Sequence, residues 1–111
     1  MARVAGIILR AGDRTVTAQF YRDLGLTGRE HQHGGPVHYE LGPMTSDAVV
    51  EVYTVSIRHD TDALMVEVES LEATLVRVLP SEDVSIIERD DMRFAYIRDP
   101  DGRQVLLMQK K

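Results

Sequence analysis

Gly6-Ile7-Ile8-Leu9-Arg10-Ala11-Gly12-Asp13 and, 57 positions later, Ala63-Leu64-Met65-Val66-Glu67-Val68-Glu69-Ser70 are the two stretches on which the fold turns. Each is a short aliphatic and β-branched run, the mark of a strand, and each ends on a residue suited to cap a helix, Asp13 or Ser70. Identity between the two is poor, but the order of elements that follows them is the same.

After Asp13, apolar Val16, Phe20, Tyr21 and Leu24 recur at helical spacing from Arg14 to about Leu24, and Gly25 stands where a helix C-terminal glycine belongs. Phe20 and Tyr21 are expected on the sheet, with Arg22 and Asp23 facing water. Three β-rich runs follow. Thr27 to His33 leads into a Gly34-Gly35-Pro36 turn, Val37 to Leu41 alternates and is closed by Gly42-Pro43, and Ala48 to Val55 is the third. After Ser70, Leu71, Leu75, Val76 and Leu79 share one face of a helix that Pro80 ends. Val84 to Glu88, Arg93 to Arg98 and Gln104 to Gln109 are again three strand candidates, the last two joined by the turn Asp99-Pro100-Asp101-Gly102. The sequence thus predicts an α+β domain over 1–111, made of two βαβββ modules at about 4–55 and 63–109.

With 111 residues the chain is the size of one ordinary domain. Hydrophobic residues at 43% and charged residues at 28% suit a packed core; aromatics at only 5%, without tryptophan, make that core aliphatic. Eighteen acidic against thirteen basic residues, with the basic ones scattered, argue against a nucleic-acid partner. No apolar run is long enough for a signal peptide or a membrane span, so a cytoplasmic location is expected. The absence of cysteine excludes disulfides, thiolate metal sites and cysteine nucleophiles. Phosphate loops and nucleophile elbows have no counterpart in the sequence.

Asp13, the run Phe20-Tyr21-Arg22-Asp23-Leu24-Gly25-Leu26, Leu41-Gly42 and Asp99-Pro100-Asp101-Gly102-Arg103, in that order across paired βαβββ units, resemble the vicinal oxygen chelate superfamily. That superfamily contains glyoxalase I, the bleomycin resistance proteins and the extradiol dioxygenases. The resemblance covers about Val4 to Met108 and implies a curved mixed sheet bearing a cleft, and a homodimer. Metal-dependent members place four ligands, typically two histidines and two glutamates, on the first and last strands of both modules. Those positions fall here on Gly6, Glu51, Ala63 and Leu106. Only Glu51 carries a donor, where a divalent ion wants three or four protein ligands. The resemblance therefore implies a member without the usual metal, and no cofactor is expected.

Glu51, in the otherwise apolar Val49-Val50-Glu51-Val52-Tyr53, is either on a solvated face or in the cleft as a general base or hydrogen-bond acceptor; the family position favours the cleft. His38 and Glu40 alternate with Tyr39 and Leu41, and the phase of that strand stays open. Arg93, Ala95 and Ile97 share one face of their strand, Phe94 and Tyr96 the other. His38, Tyr53, Arg93 and Tyr96 are the candidate ligand contacts, Arg93 as an anion contact or an ordinary surface arginine. His31 and His33 share a strand face with His38 on the next strand, so a three-histidine site completed by Glu30 or Glu40 is compatible with the spacing. Surface histidines are common, however, and the expectation is no metal. His59, in the linker Ser56 to Thr61, is expected to be solvated.

Two functions compete. The first is a metal-free binder that sequesters a drug or small metabolite in an apolar cleft with a few polar anchors. The alternative is a lyase or isomerase of glyoxalase type that uses Glu51 as base or metal ligand. A module that binds a protein across its sheet edge is a weaker third, disfavoured by the few aromatics.

Overall fold

The structure is a computed structural model, and it describes residues 2–32, 36–42 and 48–111. The expectations for His33, for Gly34 and Gly35 in the turn, and for Pro43 lie outside those residues.

Strands β1 (Arg3–Ala11), β2 (Gly28–His31), β3 (His38–Leu41), β4 (Val49–Thr54), β5 (Ala63–Glu67), β6 (Ile87–Arg89), β7 (Met92–Arg98) and β8 (Gln104–Lys110) form one sheet in the order β2-β3-β4-β1-β5-β8-β7-β6. Helix α1 (Arg14–Asp23) follows β1 and helix α2 (Leu71–Val78) follows β5. The sheet is mixed: β1 runs parallel to β4 and β5 to β8, while the remaining neighbours are antiparallel. The order reads the same from both ends when the halves are exchanged, and the halves meet at the β1/β5 pair.

Both helices begin where the sequence caps them. Asp13 is extended and its carboxylate accepts from the amides of Thr15 and Val16; Ser70 does the same for Ala73. In the turn before β8, the Asp99 carboxylate accepts from the amides of Asp101 and Arg103, at 2.9 and 2.8 Å.

Both helices pack on one face of the sheet. Ala18 and Tyr21 of α1 meet Tyr39, Leu41 and Val52, and Leu71 and Leu75 of α2 meet Ala95, Leu107 and Ile97. Leu71 is fully buried, so Leu71→Ala should lower stability by about 3 kcal/mol, read as a lower urea midpoint at unchanged slope.

Three local expectations are corrected. On α1 the small Ala18 is the residue turned fully inward, so the helix lies close to the sheet. Phe20 is left mostly exposed, edge-on to the Tyr21 ring, and Val16 and Leu24 are exposed along the same stripe. On α2 Val76 points to solvent while Leu71 and Leu75 face the sheet. The strand expected over Val84 to Glu88 begins only at Ile87, because Val84 and Ile86 turn under the sheet to pack with the α2 cluster.

Candidate functional site

The helix-free face carries a third apolar cluster of Ala5, Ile8, Ala63, Met65 and Leu106, flanked by Val49, Tyr53, Phe94, Tyr96 and Met108. This face is concave and bears a half-open cavity of about 650 Å³, a size usual for small-molecule sites. Side-chain alternation determines what enters it. In β3 the packing of Tyr39 and Leu41 against α1 leaves His38 and Glu40 on the cavity wall. In β4 Val50 and Val52 go to the helix side, so Val49, Glu51 and Tyr53 face the cavity. In β7 Phe94 and Tyr96 face it. In β1 a break in register between Val4 and Gly6 resets the alternation, so that Ala5, Ile8 and Arg10 all line the wall.

Of the candidates read from the sequence, Glu51, His38, Tyr53 and Tyr96 lie together in the cavity. Arg93 does not. It belongs to the helix face, where its guanidinium meets Glu72 of α2 at 2.6 Å and Glu88 at 3.4 Å. The reason is the alternation itself: once Phe94 and Tyr96 point into the cavity, Arg93 must point away. His59 is a second correction. It is partly buried, lines the cavity and lies against the Tyr96 ring with centroids 4.6 Å apart. Its linker has no periodicity from which this placement could be read.

A ladder of flat groups crosses the wall. His31 stands opposite His38 in the β2/β3 pair, the His38 ring stacks on Tyr53 at 4.4 Å, and the Arg10 guanidinium lies 4.6 Å from the ring centroid of its cross-strand neighbour Tyr53. Beside it, Glu40 and Glu51 are direct partners across β3 and β4. The Tyr53 hydroxyl donates to Glu51 Oε1 at 3.1 Å. His38 Nε2 lies 2.9 Å from Glu40 Oε2 and its Nδ1 3.2 Å from the Pro36 carbonyl. Burial alone would push the His38 pKa down; the hydrogen bonds to Glu40 and Pro36, with the charges of Glu51 and Glu40, outweigh it and raise the pKa.

At the other end of the ladder burial, then the charges of Arg10 and Arg58, lower the His59 pKa. Its Nδ1 and the Arg10 Nε are buried with no hydrogen-bond partner among the described residues. Burial, then the charge and hydrogen bond of Glu51, push the Tyr53 phenol up, and burial does the same to Tyr96. In an ultraviolet phenolate titration both should ionise above the ordinary midpoint of about 10. Tyr53→Phe should remove one of these late phenols; a titration complete around that midpoint would contradict their burial.

The four positions at which the sequence resemblance would place a metal, Gly6, Glu51, Ala63 and Leu106, can be tested for fit. A Cβ at Gly6 would collide with the Val49 carbonyl oxygen, and Ala63 and Leu106 are packed into the apolar floor. Of the four, only Glu51 could ligate, so a metal does not fit there.

No family model matches the chain, and no curated protein matches its sequence. Solved structures do. A glyoxalase/bleomycin resistance protein/dioxygenase superfamily member from Vibrio splendidus 12B01 superposes with a TM-score of 0.72 at 16% identity over 100% of both chains. The chain has the vicinal oxygen chelate fold. Methylmalonyl-CoA epimerase from Mycobacterium tuberculosis has the same fold, with a TM-score of 0.59 at 21% identity over 96% of this chain and 85% of its own. Catechol 2,3-dioxygenase matches at 0.64 and 21% over 97% of this chain, which spans 40% of the dioxygenase. At these identities the likeness concerns architecture. No described helix is long and apolar enough to cross a membrane.

Proposed function

We propose that this protein binds a small organic molecule on the concave face, without a metal on the four central positions, and so sequesters a drug or small metabolite. The observation that carries this reading is the cavity, with an aliphatic and aromatic floor and a wall that carries charged groups of both signs, among them Arg10, Glu40, Glu51 and Arg89. Arg10 Nε and His59 Nδ1 support it, since buried polar atoms without partners gain most from a ligand that supplies them. We also propose a cytoplasmic homodimer, the pairing resting on the resemblance; sedimentation velocity checks it.

The test is binding of 1-anilinonaphthalene-8-sulfonate, followed by its fluorescence and by displacement with a panel of drugs and aromatic metabolites. Wild type should bind the probe saturably at one site per cavity. Met108→Trp, which fills the cavity from β8, should abolish the signal. Absence of saturable binding, or equal binding by Met108→Trp, would overturn the proposal.

A second reading is favoured by the placement of Glu51. A carboxylate on the cavity wall, hydrogen-bonded to Tyr53, can take a proton from carbon beside a carbonyl. The electron pair left behind would form an enolate whose charge the nearby Arg10 guanidinium can face. Return of the proton to another position or face would make the protein an isomerase; expulsion of a leaving group from the enolate would make it a lyase.

A further inference from the structure

The cavity wall holds a group of ligating side chains away from the four central positions, and it stands whether or not an organic ligand binds. His31 and His38 oppose each other across β2 and β3 on the concave face, and Glu40 follows His38 on that face two residues on. Glu30 is directed elsewhere, its carboxylate 3.4 Å from Arg14 of α1. One ligand atom from each of His31, His38 and Glu40 lies within 4.8 Å of the others.

The chemistry of His38 sharpens the point. A carbonyl oxygen only accepts, so the Nδ1 facing Pro36 carries a proton. That leaves Nε2 as the nitrogen with the lone pair in the neutral ring, and it points at a carboxylate oxygen 2.9 Å away. Two electron-rich atoms at that distance share a proton, and a metal ion that replaces the proton would have to set them further apart. A backbone carbonyl that fixes one ring nitrogen and frees the other is the usual outer support of a metal-bound histidine. His31 Nδ1 stands 3.6 Å from the same Glu40 oxygen. Metal bonds of about 2.0–2.1 Å in a tetrahedral centre set neighbouring ligand atoms roughly 3.4 Å apart, so only small side-chain adjustments close the set. The Glu51 carboxylate, opposite Glu40, adds negative charge that a bound cation would offset.

We propose that His31, His38 and Glu40 form a divalent transition-metal site on the β2/β3 hairpin, with its remaining coordination positions open to the cavity. Two imidazoles and a carboxylate suit ions of the Zn²⁺ and Co²⁺ type rather than Ca²⁺ or Mg²⁺.

Chelator-stripped protein should bind Co²⁺ at one equivalent, with a visible absorption band of a low-coordinate nitrogen and oxygen site, and Zn²⁺ should displace it. Glu40→Gln and His31→Gln, both at partly exposed positions, should each weaken Co²⁺ binding more than about tenfold with the far-ultraviolet circular dichroism unchanged. Glu30→Gln, outside the group, should bind Co²⁺ as wild type does. Absence of a stoichiometric band in wild type, or equal binding by Glu40→Gln and Glu30→Gln, would overturn the proposal. Because the readout is the metal alone, it is decided independently of probe binding in the cavity.

Discussion

Gly6→Ala should lose more than about 3 kcal/mol of folding stability, enough to leave a marginally stable domain largely unfolded in modest urea. Two effects act together. Gly6 adopts φ +148°, a backbone conformation that L side chains rarely adopt. Its Cβ would also meet the carbonyl oxygen and amide nitrogen of Val49, its partner in the parallel β1/β4 pair, so relief requires moving a strand rather than a side chain. Gly12→Ala is the control. It has no positive φ and nothing within 4 Å of the added atom, and it should stay within roughly 0.5 kcal/mol of wild type. Urea denaturation of both variants checks the contrast, and equal midpoints would show that β1 can yield at residue 6. The result also bears on chemistry. A histidine at residue 6 faces the same backbone collision, so a metal centre that uses this position cannot be built here by substituting ligands alone.

Glu51→Gln is the variant with the largest expected functional effect. The amide keeps the shape and leaves an oxygen to accept from Tyr53, so the fold should be little disturbed. What disappears is a negative charge and a base. A ligand that hydrogen-bonds to Glu51 should bind about tenfold more weakly, the loss of one charge-assisted hydrogen bond. A substrate deprotonated by Glu51 should instead lose on the order of 10²–10⁴ in kcat with little change in KM. Calorimetric titration of ligands found by displacement, beside steady-state assays of any that turn over, separates the two. Binding and turnover both unchanged would remove Glu51 from the site.

The architecture was legible because its signals are local and repeated. Asp13 and Ser70 cap helices by the same side-chain chemistry, and Pro80 and Gly25 mark where they stop. The site was only half legible, because a single alternating strand has two phases. Whether His38 and Glu40 or Tyr39 and Leu41 face the cavity depends on which side α1 lies. That is decided by contacts far apart in sequence, such as the Thr15 hydroxyl at 3.2 Å from Tyr39 Oη and the Arg22 guanidinium over the Tyr39 ring. The same limit misdirected Phe20, since Val16, Phe20 and Leu24 make as regular a stripe as the face that is buried around Ala18. For Arg93 a usable signal existed: it alternates with Phe94 and Tyr96, and acidic Glu88 and Glu72 were available as partners. Arg10 was missed because the register break between Val4 and Gly6 resets its strand.

An open sheet of eight strands has two unpaired rims, each a row of amide and carbonyl groups able to template another chain. Here those rims are β2, Gly28-Arg29-Glu30-His31, and β6, Ile87-Glu88-Arg89, only 4 and 3 residues long and largely solvent-facing. Arg29 and Glu30 on one rim, and Glu88 and Arg89 on the other, would have to surrender hydration to lie against a second copy. Such rims are poor seeds for fibrous growth, so the protein should tolerate high concentration without stacking edge to edge.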